Sequence, residues 1–183
     1  MKNSAILTYL FVVMTTVSCA QQPKNEVDTP ENVAFTTETV VDNIDNPWGM
    51  VFLPDNSILV SEKSGKLILS KDGKKTEISG LPDIYARGQG GLLDLELHPD
   101  YKNNGWLYFS FASEEGAEDG GHTAIMRAKI NNNTLTNKEL LYKASPNTTK
   151  GQHFGSRLEF DDDGFLYFSI GERGARDVNP QDL

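Results

Sequence analysis

The stretch that decides the fold is GQHFGSRLEF at residues 151–160, followed by the acidic turn DDDG at 161–164 and by FLYFSIGERG at 165–174. The pattern predicts a strand, a tight corner and a second, aromatic-rich strand. His153 stands just before the first strand, between glycines and next to an amide side chain. Imidazole titrates near neutral pH, so a histidine at a strand mouth is a candidate general base. A lone histidine is more often structural, and the prediction needs support from the rest of the chain.

The same strand–corner–strand unit occurs twice upstream. Its first copy is WGMVFL, PDNS and ILVSE at residues 48–62, and its second is LDLEL, HPD and WLYFS between residues 93 and 110. Further strands are predicted at 65–70, 122–130 and 140–142. Units of about four strands that recur every roughly 45–60 residues are typical of β-propeller blades. A β-sandwich also contains many short strands, but it would not repeat this corner. Trp48, Trp106 and Tyr108 in these units are interpreted as blade-core residues.

The number of units predicts an incomplete ring. Propellers close with about 4–8 blades, whereas residues 39–183 provide two complete units and the start of a third. We therefore expect an all-β chain that carries the first two to three blades of a longer propeller.

The N-terminal residues read as an export signal. Lys2 precedes the apolar run 5–17, which is too short to span a bilayer, and the single cysteine, Cys19, follows it. Residues 1–19 are interpreted as a lipoprotein signal with Cys19 as the lipidation site, and the alternative is an ordinary signal peptide cleaved near Ala20. Residues 20–38 are polar and are interpreted as a flexible linker. The expected location is the bacterial periplasm or outer membrane, with lipid as the membrane contact.

The net charge of −9 argues against nucleic-acid binding, which needs a basic surface. His98 and His122 show no zinc-ligand spacing, and DDDG at 161–164 is interpreted as a β-corner because Phe165 and Leu166 occupy positions that a calcium loop needs for a ligand and a glycine. No metal site is therefore predicted within this segment.

Taken in order, several short motifs resemble the soluble quinoprotein sugar dehydrogenases, the glucose, sorbosone and aldose enzymes that use pyrroloquinoline quinone (PQQ). The motifs are NPWG at 46–49, SEKSG at 61–65, GQGGLL at 88–93, HPD at 98–100, GQH at 151–153 and IGE at 170–172. The resemblance implies a six-bladed propeller of the quinoprotein glucose dehydrogenase type. It also implies a small-molecule sugar substrate that is oxidised to a lactone, with an electron acceptor of unassigned identity.

The resemblance assigns roles to four residues. His153 matches the general base, which takes the proton of the anomeric hydroxyl while hydride passes to the quinone, and Gln89 matches a glutamine that contacts the cofactor. Gln152 and Arg173 are substrate-side candidates at which this sequence departs from the glucose enzyme. Structural alternatives are a strand cap for His153, a loop contact for Gln89, and for Arg173 a pairing with Glu172 or a position in solvent. The PQQ clamp and the calcium ligands are expected beyond residue 183, so the segment alone is expected to be inactive.

Two other function classes stay open. A non-catalytic binding propeller at the cell surface would explain the departures at Gln152 and Arg173. A calcium-dependent propeller lactonase would need a cluster of Asn, Asp and Glu around the channel, which the sequence does not assign.

Overall fold

A computed structural model describes residues 34–181, and its compact unit begins at Thr39. The predicted signal, Cys19 and most of the predicted linker lie outside the described residues. Among those described, the chain is nearly all β. The elements are β1 Pro47–Phe52, β2 Ile58–Glu62, β3 Lys66–Lys71, β4 Lys74–Ile78, β5 Leu92–Leu97, α1 Tyr101–Asn104, β6 Leu107–Ser113, β7 His122–Asn131, β8 Thr134–Lys143, β9 Gly155–Phe160, β10 Leu166–Ile170 and a 3-10 helix Asn179–Gln181.

The ten strands form three antiparallel sheets within residues 34–181. Strands β1–β4 make one four-stranded sheet in sequence order, β5–β8 make a second, and β9 pairs with β10 in a third. We call these sheets blades 1, 2 and 3. The repeat of short strands is confirmed, and the insertion after His98-Pro99-Asp100 is the single helical turn α1, which ends at Gly105 with φ +70°. No helix in the described range is long and apolar enough to cross a membrane.

The first strands of the blades, β1, β5 and β9, contact one another in succession. Blades 1 and 2 enclose the largest apolar cluster, in which Leu59, Leu107 and Phe109 are fully buried. A smaller cluster around Ile125 and Leu158 joins blades 2 and 3. Burial of these faces is the main stabilising contribution to the blade stack. It also brings the loops before β5 and before β9 to the same end of their blades.

A serine in the second strand of blades 1 and 2 connects each of these blades to the next one. Ser61 Oγ accepts the Gly49 N–H of its own blade at 2.9 Å and donates to the Leu93 carbonyl of the next blade at 2.5 Å. Ser110 Oγ likewise accepts the Asp94 N–H at 2.9 Å and donates to the Ser156 carbonyl at 2.7 Å. Each hydroxyl therefore links one blade to the next; we call these contacts serine links.

Trp48 differs from the sequence prediction. It was expected in the blade core, but its side chain is 47% exposed. Met50 and Phe52, on the same face of β1, are exposed as well. The corner at 161–164 is confirmed as a turn, since the Asp161 carboxylate accepts the backbone N–H groups of Asp163 and Phe165. Within residues 34–181 no group of three or more His, Cys, Asp or Glu side chains could hold a metal ion.

Candidate active site

Two glycine-containing loops meet at the strand mouths of blades 2 and 3. The Gln89 N–H donates to the Gly151 carbonyl at 2.7 Å. A Cβ on Gly88, whose φ is +58°, would lie 2.1 Å from that carbonyl oxygen, so only glycine allows the approach. The motifs at 88–93 and 151–153, which are 60 residues apart in the sequence, are thus in direct contact.

His153 is fixed through its backbone. Its N–H donates to Gln89 Oε1 at 2.8 Å, and its carbonyl accepts the Arg173 N–H at 2.9 Å. The residue holds φ +56°, a left-handed conformation that non-glycine residues rarely adopt. Its side chain is half exposed. The predicted pair of Gln89 and His153 is therefore brought together, although the contact runs from the amide to the histidine backbone.

Glu172 completes the site and was not assigned by the sequence analysis. Its Oε1 lies 2.6 Å from His153 Nδ1, and its other oxygen accepts the Gly174 N–H. The hydrogen bond from His153, followed by that from Gly174, lowers the pKa of Glu172 below its ordinary value. The carboxylate is thus ionised at neutral pH and accepts Nδ1–H. This tautomer leaves the lone pair of the neutral imidazole on Nε2, which has no partner among the described residues.

The local topology could have revealed Glu172. Because β9 and β10 are antiparallel and Gly155 pairs with Ile170, the two residues that follow β10 lie beside the two that precede β9, which brings Glu172 to His153. Gly171 permits the approach, since a Cβ there would lie 1.9 Å from the His153 carbonyl oxygen. A strand pair whose outer ends carry a histidine and a carboxylate therefore predicts their contact.

His153, Glu172 and Gln152 line one open cavity of about 350 Å³, whose far wall carries Arg176 and Asp177. This volume is large enough for a monosaccharide, within the usual range for small-molecule sites. The cavity brings together the predicted base and one of the two predicted substrate-side residues.

Arg173 does not join them. It is 4% exposed and lines a different cavity, with Tyr142, Ser145 and Asn179. Its guanidinium donates to backbone carbonyls and has no hydrogen bond with Glu172 among the described residues. Both alternatives for Arg173, pairing with Glu172 and exposure to solvent, are therefore wrong. Arg173 lies in the loop after β10 with φ +51°, so strand alternation does not predict the direction of its side chain.

The donors in the described part of the chain fit one side of a quinone cofactor. Gln89 Oε1 is occupied by the His153 N–H, so the amide orientation leaves the Nε2 group as a donor, with no acceptor within the described residues. PQQ presents quinone and carboxylate oxygens, which are acceptors. Gln89 would therefore hold an acceptor oxygen beside His153.

Consecutive antiparallel blades whose first strands contact one another are the architecture of a β-propeller. A family model described as Glucose / Sorbosone dehydrogenase matches residues 44–183. The chain belongs to this family.

Named relatives agree with this assignment. The chain is 36% identical over 151 residues to aldose sugar dehydrogenase YliI of Escherichia coli K12, covering 80% of this chain and 40% of the relative. The PQQ-bound structure of aldose sugar dehydrogenase from Streptomyces coelicolor superimposes with a TM-score of 0.64 at 28% identity, covering 75% of this chain and 41% of that structure. The human Hedgehog-interacting protein is 29% identical over 155 residues, covering 75% of this chain and 22% of its own length. The chain thus spans less than half the length of these relatives.

Proposed function

We propose that the protein containing this chain oxidises an aldose sugar to its lactone in a PQQ-dependent reaction, with His153 as the general base. The observation that carries the proposal is the His153–Glu172 pair, which leaves Nε2 as an unpartnered acceptor. The family assignment and the PQQ-bound relative support the class of reaction.

In this proposal the residues of the chain accept the proton of the sugar hydroxyl and stabilise the charge that results. Glu172 keeps Nδ1 protonated, so Nε2 accepts the proton of the anomeric hydroxyl. The same carboxylate stabilises the imidazolium that results, while Gln89 and Arg173 hold the His153 backbone through its N–H and carbonyl. PQQ, when bound, supplies the acceptor for the hydride of the anomeric carbon.

Three further assignments, to calcium, to Cys19 and to Gln152, belong to this proposal. Calcium is proposed as a second cofactor, with ligands outside this segment. Export and anchoring through lipid on Cys19 are proposed from the pattern of residues 1–19. Gln152 is proposed to contact the sugar, because it lines the cavity of His153.

The test replaces His153 by alanine in the full-length protein supplied with PQQ and calcium. Turnover of aldoses with an artificial electron acceptor should fall about 10²–10⁴-fold, the usual contribution of a positioned base. PQQ affinity should change little, because the imidazole acts on the sugar hydroxyl.

His98→Ala is the matched control. His98 stacks on Tyr108 in blade 2 and accepts the Asp100 N–H at the corner, away from the cavity. We expect His98→Ala to retain its turnover. Full turnover in His153→Ala would refute the assignment.

A non-catalytic binding propeller is the second candidate. The similarity to Hedgehog-interacting protein favours it, because the name of that relative describes a protein that interacts with a partner. The two candidates differ in one measurement: PQQ-dependent turnover of any aldose by the unmodified full-length protein supports the enzyme, and its absence together with absent PQQ binding supports the binding propeller. The lactonase alternative stays a prediction that no feature described here supports.

A further inference from the structure

Arg173 forms hydrogen bonds with the segment before β9 and with the segment after β10. Its N–H donates to the His153 carbonyl at 2.9 Å, and its own carbonyl accepts the Thr148 hydroxyl. Its guanidinium donates from Nη1 to the Gly171 carbonyl at 2.5 Å and from Nη2 to the Ser145 carbonyl at 3.2 Å. One side chain therefore joins the loop after β10 to the loop before β9.

Burying an arginine side chain is an energetically unfavourable way to make a purely structural contact. Arg173 is 4% exposed, its Nε has no hydrogen-bond partner, and within residues 34–181 its guanidinium forms no salt bridge, so burial lowers its pKa despite the nearby charge of Glu172. A buried guanidinium without a carboxylate is costly, and an apolar side chain of similar volume often stabilises such a position better. The guanidinium makes two carbonyl contacts that an apolar side chain could not make, and the Gly171 carbonyl is next to Glu172 in the chain.

The two segments that Arg173 joins are those that orient Glu172. Glu172 lies between Gly171, whose carbonyl Arg173 holds, and Arg173 itself. Its carboxylate spans His153 Nδ1 and the Gly174 N–H. Any change in the path of residues 171–174 would therefore alter the distance between Glu172 and His153.

We propose that Arg173 is a positioning residue, which holds the Glu172 carboxylate against His153 and does not contact the sugar. The proposal rests on the proposed function only for its kinetic test, since the geometry of Glu172 can be measured in the protein without PQQ. It replaces the substrate-side role predicted for Arg173 from the sequence.

The experiment compares Arg173→Met with Arg173→Lys in the full-length protein. Methionine keeps an apolar stem of similar length and removes both carbonyl contacts, whereas lysine keeps the charge and can restore one. The titration of the Glu172 carboxyl is followed by NMR of the PQQ-free protein with 13C-labelled glutamate, and Glu172→Gln identifies the signal. Because the hydrogen bond from His153 holds the pKa of Glu172 down, its midpoint should move upward in Arg173→Met and by less in Arg173→Lys.

The kinetic arm separates positioning from substrate contact. With PQQ supplied, kcat should fall about 10–10²-fold in Arg173→Met, the order expected when a reacting group is misplaced by about 1 Å. The KM for the sugar should stay within about threefold, because no ground-state contact is lost. Arg127→Met is the control: that guanidinium binds Glu139 and Tyr108 in blade 2, and its loss should leave both measurements unchanged.

Two results would overturn the proposal. An unchanged Glu172 titration in Arg173→Met would show that Arg173 does not hold the carboxylate. A raised KM with unchanged kcat would restore the substrate-side role. If Arg173→Met does not fold, Arg173→Lys decides both points, with smaller changes of the same sign expected. Failure of the general-base assignment shows instead as full turnover in His153→Ala, which leaves the NMR result interpretable.

Discussion

Replacement of Ser110 by alanine tests whether the serine links hold the blades together. Ser110 is fully buried, and its hydroxyl is the partner of two buried backbone groups in different blades, the Asp94 N–H and the Ser156 carbonyl. Alanine fits the same space but satisfies neither group. The cost should therefore be that of two unpartnered buried groups, less the desolvation of the lost hydroxyl.

The expected loss of unfolding free energy follows from these two unpartnered groups. An unsatisfied buried donor or acceptor costs about 1–3 kcal/mol. Since the hydroxyl itself no longer has to be buried, the free energy of unfolding should fall by about 2–4 kcal/mol, near the upper end for a single substitution. Ser61→Ala breaks the equivalent link between blades 1 and 2 and should fall in the same range.

The assay is urea unfolding of the full-length protein, followed by tryptophan fluorescence. Ser70→Ala is the matched control, because Ser70 is half buried on β3 and its hydroxyl makes no hydrogen bond with a described residue. It should stay within about 0.5 kcal/mol of the unmodified protein. The reasoning fails if Ser110→Ala is as stable as Ser70→Ala.

Four shorter predictions follow. Gln89→Ala should weaken PQQ binding by roughly 1–3 kcal/mol, measured by fluorescence titration, and unchanged affinity would exclude a cofactor contact. Residues 20–183 expressed alone should be poorly soluble, since Trp48, Met50, Phe165 and Tyr167 are exposed, and a monodisperse, cooperatively melting monomer would contradict this. Cys19→Ser should release the protein from the membrane fraction, and continued retention would count against lipidation. Burial, with Glu159 and Asp94 nearby, raises the pKa of Glu96 to about 7. The folded state therefore keeps a proton that the unfolded state has released, and stability falls as the pH rises from about 4.5 to about 7, so Glu96→Gln should raise the melting temperature at pH 8 and change it little at pH 5.

The repeated strands and corners could be predicted because each is determined by a few neighbouring residues. The corners at 54–57 and 161–164 are short turns built from Asp, Asn and Gly, and such turns are readable from a few residues. The family resemblance assigned roles to Gln89 and His153, but it did not predict the hydrogen bonds that join their loops. Period-two alternation also located most strands, although it does not say which face of a strand is covered, and Trp48 was placed in the core for that reason.

The rest of the site depends on contacts that alternation does not encode. The role of Glu172 arises from strand pairing, and the burial of Arg173 arises from a left-handed turn after β10. A positive φ takes the chain off the extended path of a strand, and Arg173, which was expected on the substrate side, is buried and lines a different cavity. Such turns are hard to read from sequence when the residue is neither glycine nor asparagine.

The backbone strain of the described residues is concentrated at this site. Apart from glycine, asparagine and aspartate, the residues with positive φ within 34–181 are His153 at +56°, Ser156 at +114° and Arg173 at +51°. A left-handed conformation costs an ordinary L-residue about 1–2 kcal/mol. Strain that persists in a folded protein clusters where it positions functional groups. The strained residues lie at the start of β9 and after β10, which agrees with a site built around His153.

Ser156 allows this strain to be measured separately from catalysis. Its side chain is buried, makes no hydrogen bond with a described residue and does not line the cavity of His153. Ser156→Gly should relieve about 1–2 kcal/mol of strain and lose about 0.5–1 kcal/mol through the freedom of glycine in the unfolded chain. The free energy of unfolding should thus rise by up to about 1.5 kcal/mol with turnover unchanged, because the Ser156 carbonyl still accepts the Ser110 link. A loss of stability similar to that of Ser110→Ala would show that the serine side chain, and not the surrounding fold, holds this conformation.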